Sequence, residues 1–226
     1  MLSRSSICLA IALTLLVPAS AFGGDMVVEI PAARDNSLYE DGTGALSNGA
    51  GDYIFAGRTA PQNNELLRRA VLAFDVADVL PVGATIVSAE LELTMSMSIV
   101  GETDVTIHRL TSDWGEGSSD APGQEGAGTA STSGDATWIH TFFNTDQWTT
   151  AGGDFVAMAS ATAPVAGNGR YTWGSTAEMV ADVQAWVDGP ALSCTTASRR
   201  AHDDLAAAGA FADTVITGAS VFHYHA

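Results

Sequence analysis

Three runs decide the fold: LLRRAVLAFDV at 66–76, ADVLPVGATIVSAELELTM at 77–95 and TDVTIHRLTSDWGEG at 103–117. Successive side chains of a strand point to opposite faces. In the first run Ala70, Leu72 and Phe74 share one face, and Arg69, Val71, Ala73 and Asp75 share the other. After the turn Pro81-Val82-Gly83-Ala84, the residues Ala89, Leu91, Leu93, Met95 and Met97 point inward, while Ser88, Glu90, Glu92, Thr94 and Ser96 point out. A slip of one residue would bury Glu90 and Glu92, so this alternation also sets the register. Val105 and Ile107 continue the inner face. Strand-like runs joined by short turns predict an all-β fold, an antiparallel β-sandwich.

Working outward, 26–30 (MVVEI) reads as a first strand closed by Pro31, and 33–51 as a polar, glycine-rich loop. A second strand is expected at 52–56 (DYIFA), followed by a loop over 57–65. Residues 111–136 form a long, small-residue loop, which in a compact domain is commonly functional or disordered. Strand character returns at 137–143 (TWIHTFF) and at 154–164, where Phe155, Ala157, Ala159 and Ala161 alternate. One short C-terminal helix is expected. Ser175-Thr176-Ala177-Glu178 reads as a capping box, Met179, Val180, Val183, Trp186 and Val187 form an apolar stripe, and Asp188-Gly189-Pro190 stops it. The helix should lie across an end or edge of the sandwich.

Residues 1–21 read as a signal peptide. Arg4 supplies the positive start, 7–17 (ICLAIALTLLV) the apolar region and Pro18-Ala19-Ser20-Ala21 the cleavage site, so the mature chain is expected to begin at Phe22. The apolar run is too short to span a bilayer. The expected location is therefore secreted, cell-surface or periplasmic. Removing Cys8 with the signal leaves Cys194 alone, so no disulfide forms within the chain. The net charge is −17, with 26 acidic residues, nine arginines and no lysine. Such a surface repels phosphate backbones and anionic lipid, which excludes nucleic acid as a partner.

The order of parts carries a resemblance. A strand RRAVLAFDV, a Pro-x-Gly-Ala turn, a strand I-x-SAEL-x-L and a later helix VADVQAWVDGP resemble the DNRLRE domain family, the disaggregatase-related modules of secreted and surface proteins. The hexapeptide Asp35-Asn36-Ser37-Leu38-Tyr39-Glu40 matches the family's name-giving motif at four of six places. The resemblance covers roughly 26–190 and implies a jelly-roll-like sandwich akin to carbohydrate-binding modules. It also implies a non-catalytic role in surface or matrix proteins. On this reading 22–190 is the domain. In 191–226 the family's Asn-x-Gly turn and hydrophobic strand after the helix are missing, and the segment is alanine-rich. Two readings of that segment stay open. Either a frameshift or truncation has replaced the C-terminus, or 213–224 is a genuine final strand.

Two chemistries suggest themselves. Calcium takes about six to eight oxygen ligands, and Asp35, Asn36, Glu40, Asp41 and Asn48 crowd one loop; solvated turn chemistry is the rival explanation. A second acidic group is Asp113, Glu116, Asp120 and Glu125. Sugar binding needs exposed aromatic faces. Trp114, Trp138, Trp148 and Trp173 sit at strand ends or in loops, with Trp114 the one expected to be most exposed; Trp186 belongs to the core. The rival for these is a role as core plugs. Glu90 and Glu92 are roughly 6–7 Å apart on one strand face, a spacing found in glycosidases. A regular strand face is, however, no cleft, and no G-x-S-x-G or H-E-x-x-H motif occurs. His108 and His140 read as structural, and His223-Tyr224-His225 as a metal clip at a chain end. The sequence therefore points to a non-catalytic module whose partners are polysaccharide or surface and matrix proteins, with polysaccharide hydrolysis as the remote alternative.

Overall fold

The computed structural model describes residues 25–60, 63–98, 101–189, 194–200 and 216–225, the last two stretches by their backbone. The expected signal peptide lies outside these residues. In chain order the strands are β1 (Asp25–Pro31), β2 (Arg34–Tyr39), β3 (Leu46–Ser47), β4 (Gly57–Arg58) and β5 (Leu67–Phe74). Helix α1 (Val76–Val79) follows, then β6 (Thr85–Met95), β7 (Thr103–Arg109), β8 (Thr129–Ala130), β9 (His140–Phe142) and β10 (Asp146–Gln147). Next come β11 (Ala161–Val165), β12 (Gly169–Gly174), helix α2 (Ala177–Asp188), β13 (Cys194–Arg200) and β14 (Ile216–His225). The protein is mostly strand, in antiparallel sheets, with few helices.

The first large sheet has the order β1-β14-β6-β12; the second runs β11-β7-β13-β5-β2, with β4 also beside β5. The chain steps directly from one sheet to the other at β1–β2 and again at β11–β12. A single apolar cluster draws on both sheets. Ile30, Leu91, Leu93, Met95 and Trp173 come from the first, and Leu72, Phe74, Ile107, Ala163 and Val165 from the second. Full burial of each such aliphatic side chain contributes about 1.5–3 kcal/mol, which is why the alternation in β6 governs register. Glu90 and Glu92 stay half-exposed on the other face, and Glu92 pairs with Arg170 at 2.8 Å.

Helix α2 closes part of this core, as expected, through buried Met179 and Val183 with Val180, Trp186 and Val187 packed beside them. Its cap differs from expectation. Thr176, not Ser175, is the N-cap, and its hydroxyl accepts from the Met179 N–H at 3.0 Å. Ser175 is used elsewhere. Because β12 pairs with β6 only back to Glu90, the start of β6 has an unpaired edge. Ser175 Oγ accepts from Ala89 N–H at 3.1 Å, Gln184 Oε1 accepts from Ile86 N–H at 2.8 Å, and Gln184 Nε2 donates to Ala84 C=O at 3.1 Å. Side chains at and within the helix thus substitute for a neighbouring strand, which unpaired backbone groups require.

Several boundaries differ from the sequence reading. Residues 34–39, assigned to a loop, form β2 and pair with β5 from Arg34↔Ala73 to Tyr39↔Arg68. The expected strand at 52–56 is not an extended strand, and 137–143 and 154–164 shrink to β9 and β11. Strand β12 and helix α1 were not anticipated. Strand propensity depends on neighbours more than on local composition, and polar Arg34-Asp35-Asn36-Ser37 finds its partners only in three dimensions.

The C-terminal segment enters both sheets. Strand β13, directly after the helix where no strand was expected, lies between β5 and β7. Strand β14, overlapping the alternative final strand 213–224, lies between β1 and β6, from Asp25↔His225 in one ladder to Ile216↔Met95 in the other. Neither β5 and β7 nor β1 and β6 are paired directly with each other. A chain ended after Gly189 is therefore expected to lose cooperative thermal unfolding and to elute as aggregate in size-exclusion chromatography. A sharp melt from a monomeric peak would show that the sheets close unaided.

Candidate functional site

Glycine-rich and polar as it is, the stretch 111–154 is packed. It lies on the face of the second sheet turned away from the inter-sheet core. Strand β5 is consequently buried on both sides, Ala70, Leu72 and Phe74 towards the shared core and Val71 and Ala73 towards a second cluster. That second cluster contains Leu38, Leu110, Trp114, Ala136, Trp138 and Trp148. The face read as the outer side of β5 is therefore a second interior.

This placement corrects the tryptophan expectation. Trp114 is 0% exposed, and Trp138, Trp148 and Trp173 are at most 8% exposed, so none offers a ring face to a sugar. Their faces are occupied by the protein itself. The Arg34 guanidinium lies 5.1 Å over Trp114 and that of Arg69 4.9 Å over Trp138, where a cation is attracted to the ring face. Trp148 Nε1 donates to Thr137 C=O at 2.8 Å, and Trp173, in the shared core, to Val105 C=O at 2.7 Å. Among the described residues, buried Trp114 Nε1 has no hydrogen-bond partner.

An irregular layer leaves many backbone N–H groups without a ladder, and each must find an acceptor. Carboxylates and amides supply them. Buried Asp135 accepts from Ser118 N–H at 2.8 Å and Ser119 N–H at 3.3 Å with one oxygen, and from Thr132 N–H and hydroxyl with the other. Buried Glu125 accepts from Asn48 Nδ2 at 2.8 Å and from the N–H groups of Asp52 and Tyr53. Asp154 accepts from Thr149 and Thr150 N–H, both at 2.8 Å, and from the Ser112 hydroxyl. Close approach has dictated glycine here. A Cβ on Gly117, at φ +75°, would sit 1.5 Å from Asp135 Oδ1, and one on Gly49 would sit 1.6 Å from Glu116 C=O.

The proposed calcium ligands belong to the same scheme. Asp41 accepts from Gly44 N–H at 2.8 Å and Ala45 N–H at 3.0 Å, besides Thr43. Glu40 accepts from Leu67 N–H. Asn36 is fully buried and bridges Ser47, Glu116 C=O and Asn48 N–H; Asn48 joins Tyr53 C=O, Glu125 and Ala121 N–H. Asp35 and Asn36 are successive residues of β2, so their side chains leave on opposite faces. Among the described residues no three His, Cys, Asp or Glu side chains are placed to hold a metal ion. In the second acidic group, Asp113 pairs with Arg34 at 3.1 Å, Glu116 accepts from Asp35 N–H at 3.0 Å, and Asp120 is exposed.

Among the described side chains, His108 and His140 both make hydrogen bonds. His108 Nδ1 lies 2.9 Å from Val156 C=O and Nε2 3.1 Å from the Thr106 hydroxyl; His140 Nδ1 lies 3.0 Å from the Thr137 hydroxyl. The pair His223 and His225 lies where only the backbone is described. Asp135 and Asp154 escaped notice in the sequence. The signal that could have found them is an isolated acid among Gly, Ser and Thr, where a side chain closes a turn on nearby N–H groups.

Electrostatics follow from these bonds. Partial burial by itself would raise the Asp41 carboxyl, but the Thr43 hydroxyl and the N–H groups of Thr43, Ala45 and Gly44 hold it below its ordinary 3.8. Asp154 behaves alike, its burial outweighed by Thr149, Thr150 and Ser112. A carboxyl lowered in the fold stabilises it above the unfolded value and ceases to do so as pH falls through the folded value. The layer is thus expected to loosen below about pH 4, read as a change in tryptophan fluorescence, since Trp114, Trp138 and Trp148 lie within it. Asp135→Ala strips three N–H groups of their acceptor and is expected to cost about 2 kcal/mol, or roughly 4–8 °C in Tm, with Asp135→Asn losing less.

No protein-family model matches the chain, and comparison with curated proteins finds no match.

Proposed function

We propose that this chain is an exported, non-catalytic module that serves as a scaffolding or adhesive unit of a surface or matrix assembly outside the cytoplasm. Its architecture is read as a jelly-roll-like β-sandwich of the DNRLRE type, with the two large sheets as its halves. One observation carries the choice of scaffolding over sugar capture. The tryptophans and loop carboxylates that would grip a ligand are spent on holding the loop layer to the second sheet. A long polar loop held by so many internal hydrogen bonds behaves as armour, and armour suits a unit whose work is to persist. The acidic surface supports the same reading, because like charge keeps copies soluble until a partner of surface or matrix origin is met. Among the described residues no helix is long and apolar enough to cross a membrane, so attachment by a transmembrane helix is no part of the proposal.

Glycan binding is the rival, and hydrolysis the more distant one. Glu90 and Glu92 share one strand face, and Glu92 is engaged by Arg170. On a glycan array and in polysaccharide pull-down the scaffolding reading expects no retention, and reducing-end assays no release. Saturable binding to one polymer would replace it with the glycan reading. A chelator is expected to leave Tm unchanged, because the loop carboxylates already accept from N–H groups; a fall in Tm would restore calcium as a component.

A further inference from the structure

The dipeptide Asn-Gly occurs twice in the chain, at 48–49 and at 168–169. In this pair a backbone nitrogen readily attacks the side-chain amide before it, because glycine puts no side chain in the way and leaves the backbone free to turn. Asparagine is among the thermolabile residues. The two copies have opposite surroundings. At 48–49 both reacting groups are held. Asn48 is fully buried, its Nδ2 donating to Tyr53 C=O at 3.1 Å and to Glu125 Oε2 at 2.8 Å, its Oδ1 accepting from Ala121 N–H at 2.9 Å. Gly49 N–H donates to Ser119 Oγ at 3.1 Å. Turning the amide onto that nitrogen would break these bonds in a packed interior. At 168–169 nothing comparable stands in the way. Asn168 is exposed, in the link between β11 and β12. The Tyr171 hydroxyl holds the residues just before it, accepting from Ala166 N–H at 3.2 Å and Gly167 N–H at 3.1 Å and donating to Gly167 C=O at 2.8 Å. Among the described residues no hydrogen bond holds the Asn168 side chain. Gly169 is the end rung of the β12–β6 ladder, opposite Met95, and end rungs open at little cost. Its φ of +155° is a backbone setting that suits glycine, so the reactive neighbour is required by the crossing itself.

We propose that Asn168–Gly169, at the crossing between the two sheets, is a self-modifying site whose carboxamide converts to aspartate and isoaspartate in the folded chain, while burial keeps Asn48–Gly49 inert. The co-reactant is water. The Gly169 backbone nitrogen gives up its proton to hydroxide and attacks Asn168 Cγ. The bond from Cγ to Nδ2 breaks, and the nitrogen leaves as ammonia after taking a proton from water. A five-membered imide remains. Water then opens the ring. Addition at Cγ restores the native backbone with aspartate at position 168; addition at the Asn168 backbone carbonyl routes the chain through Cγ as isoaspartate. The net change is carboxamide and water to carboxylate and ammonium, with nothing oxidised or reduced. Either product sets a new carboxylate close in sequence to Arg170, whose mostly exposed guanidinium pairs with Glu92 at 2.8 Å and lessens the local excess of negative charge. Isoaspartate also adds one carbon to the main chain where it passes from one sheet to the other.

The test incubates the full chain in mildly acidic and in mildly alkaline buffer and follows both dipeptides by peptide mapping with mass spectrometry. A denatured sample of the same chain and the variant Asn168→Ser run beside it. In the folded chain the peptide carrying position 168 is expected to end about one mass unit heavier, as a mixture of aspartate and isoaspartate. The conversion should be faster in alkali, since the attacking nitrogen must lose its proton. Position 48 is expected to react on the order of 100-fold more slowly, because reaction there waits on local opening of the layer. Denaturant should remove that difference, so that both positions react alike. Asn168→Ser should lose the acidic variant that the native chain develops on isoelectric focusing. An Asn168 that stays intact in the folded chain while the denatured chain reacts, or a folded Asn48 that reacts as fast as Asn168, would overturn the proposal.

Discussion

Backbone amides that lie away from any ladder must still be met, and in this protein a few carboxylates meet several of them at once. Asp41, Glu125, Asp135 and Asp154 each accept from two or more donors on neighbouring turns. Hydrogen bonds to a charged acceptor are shorter and stronger than neutral ones. A few carboxylates can therefore order a glycine-rich stretch that has almost no regular structure of its own. The acid excess has a structural use before any ligand is considered.

The consequence for packing is a second interior. With the layer in place, β5 buries apolar side chains on both of its faces, and Trp114, Trp138 and Trp148 fill the outer one. Arginines extend the same interior. Arg34 and Arg69 lie against tryptophan rings while their guanidinium groups bond backbone carbonyls, Trp114 and Gly152 respectively. In a chain with nine arginines and no lysine this is the chemistry one expects, since a planar guanidinium stacks and bonds at once where an ammonium does not.

The sheets impose a separate constraint through connectivity. The last strands in sequence occupy inner positions in space, β13 between β5 and β7 and β14 between β1 and β6. Non-local pairing of this kind is slow to form, because a long loop must be ordered before the contacts reward it. Until then β6 presents the side that β14 will occupy. Gln184 of α2, with Ser175 just before the helix, protects the other edge of β6, at its first residues.

What the sequence determined by itself was the all-β character, the register of β6 and the apolar stripe of α2. Each rests on a periodicity of near neighbours, and periodicity is local. What only the tertiary structure decided was the fate of residues whose partners are far along the chain. Asp35 and Asn36 read as loop residues because their strand is held by β5, and the Asn36 side chain by Ser47, Glu116 and Ala136, all distant in sequence or in another element. Trp114 read as exposed because DWGEG is polar and glycine-rich, yet it is covered by Arg34 and the Trp138–Trp148 cluster. The segment after the helix left two readings open because its pattern changes there, and only the assembled sheets give its backbone partners in β1, β5, β6 and β7. Burial belongs to the assembled molecule, and a side chain's polarity fixes only what burial will cost.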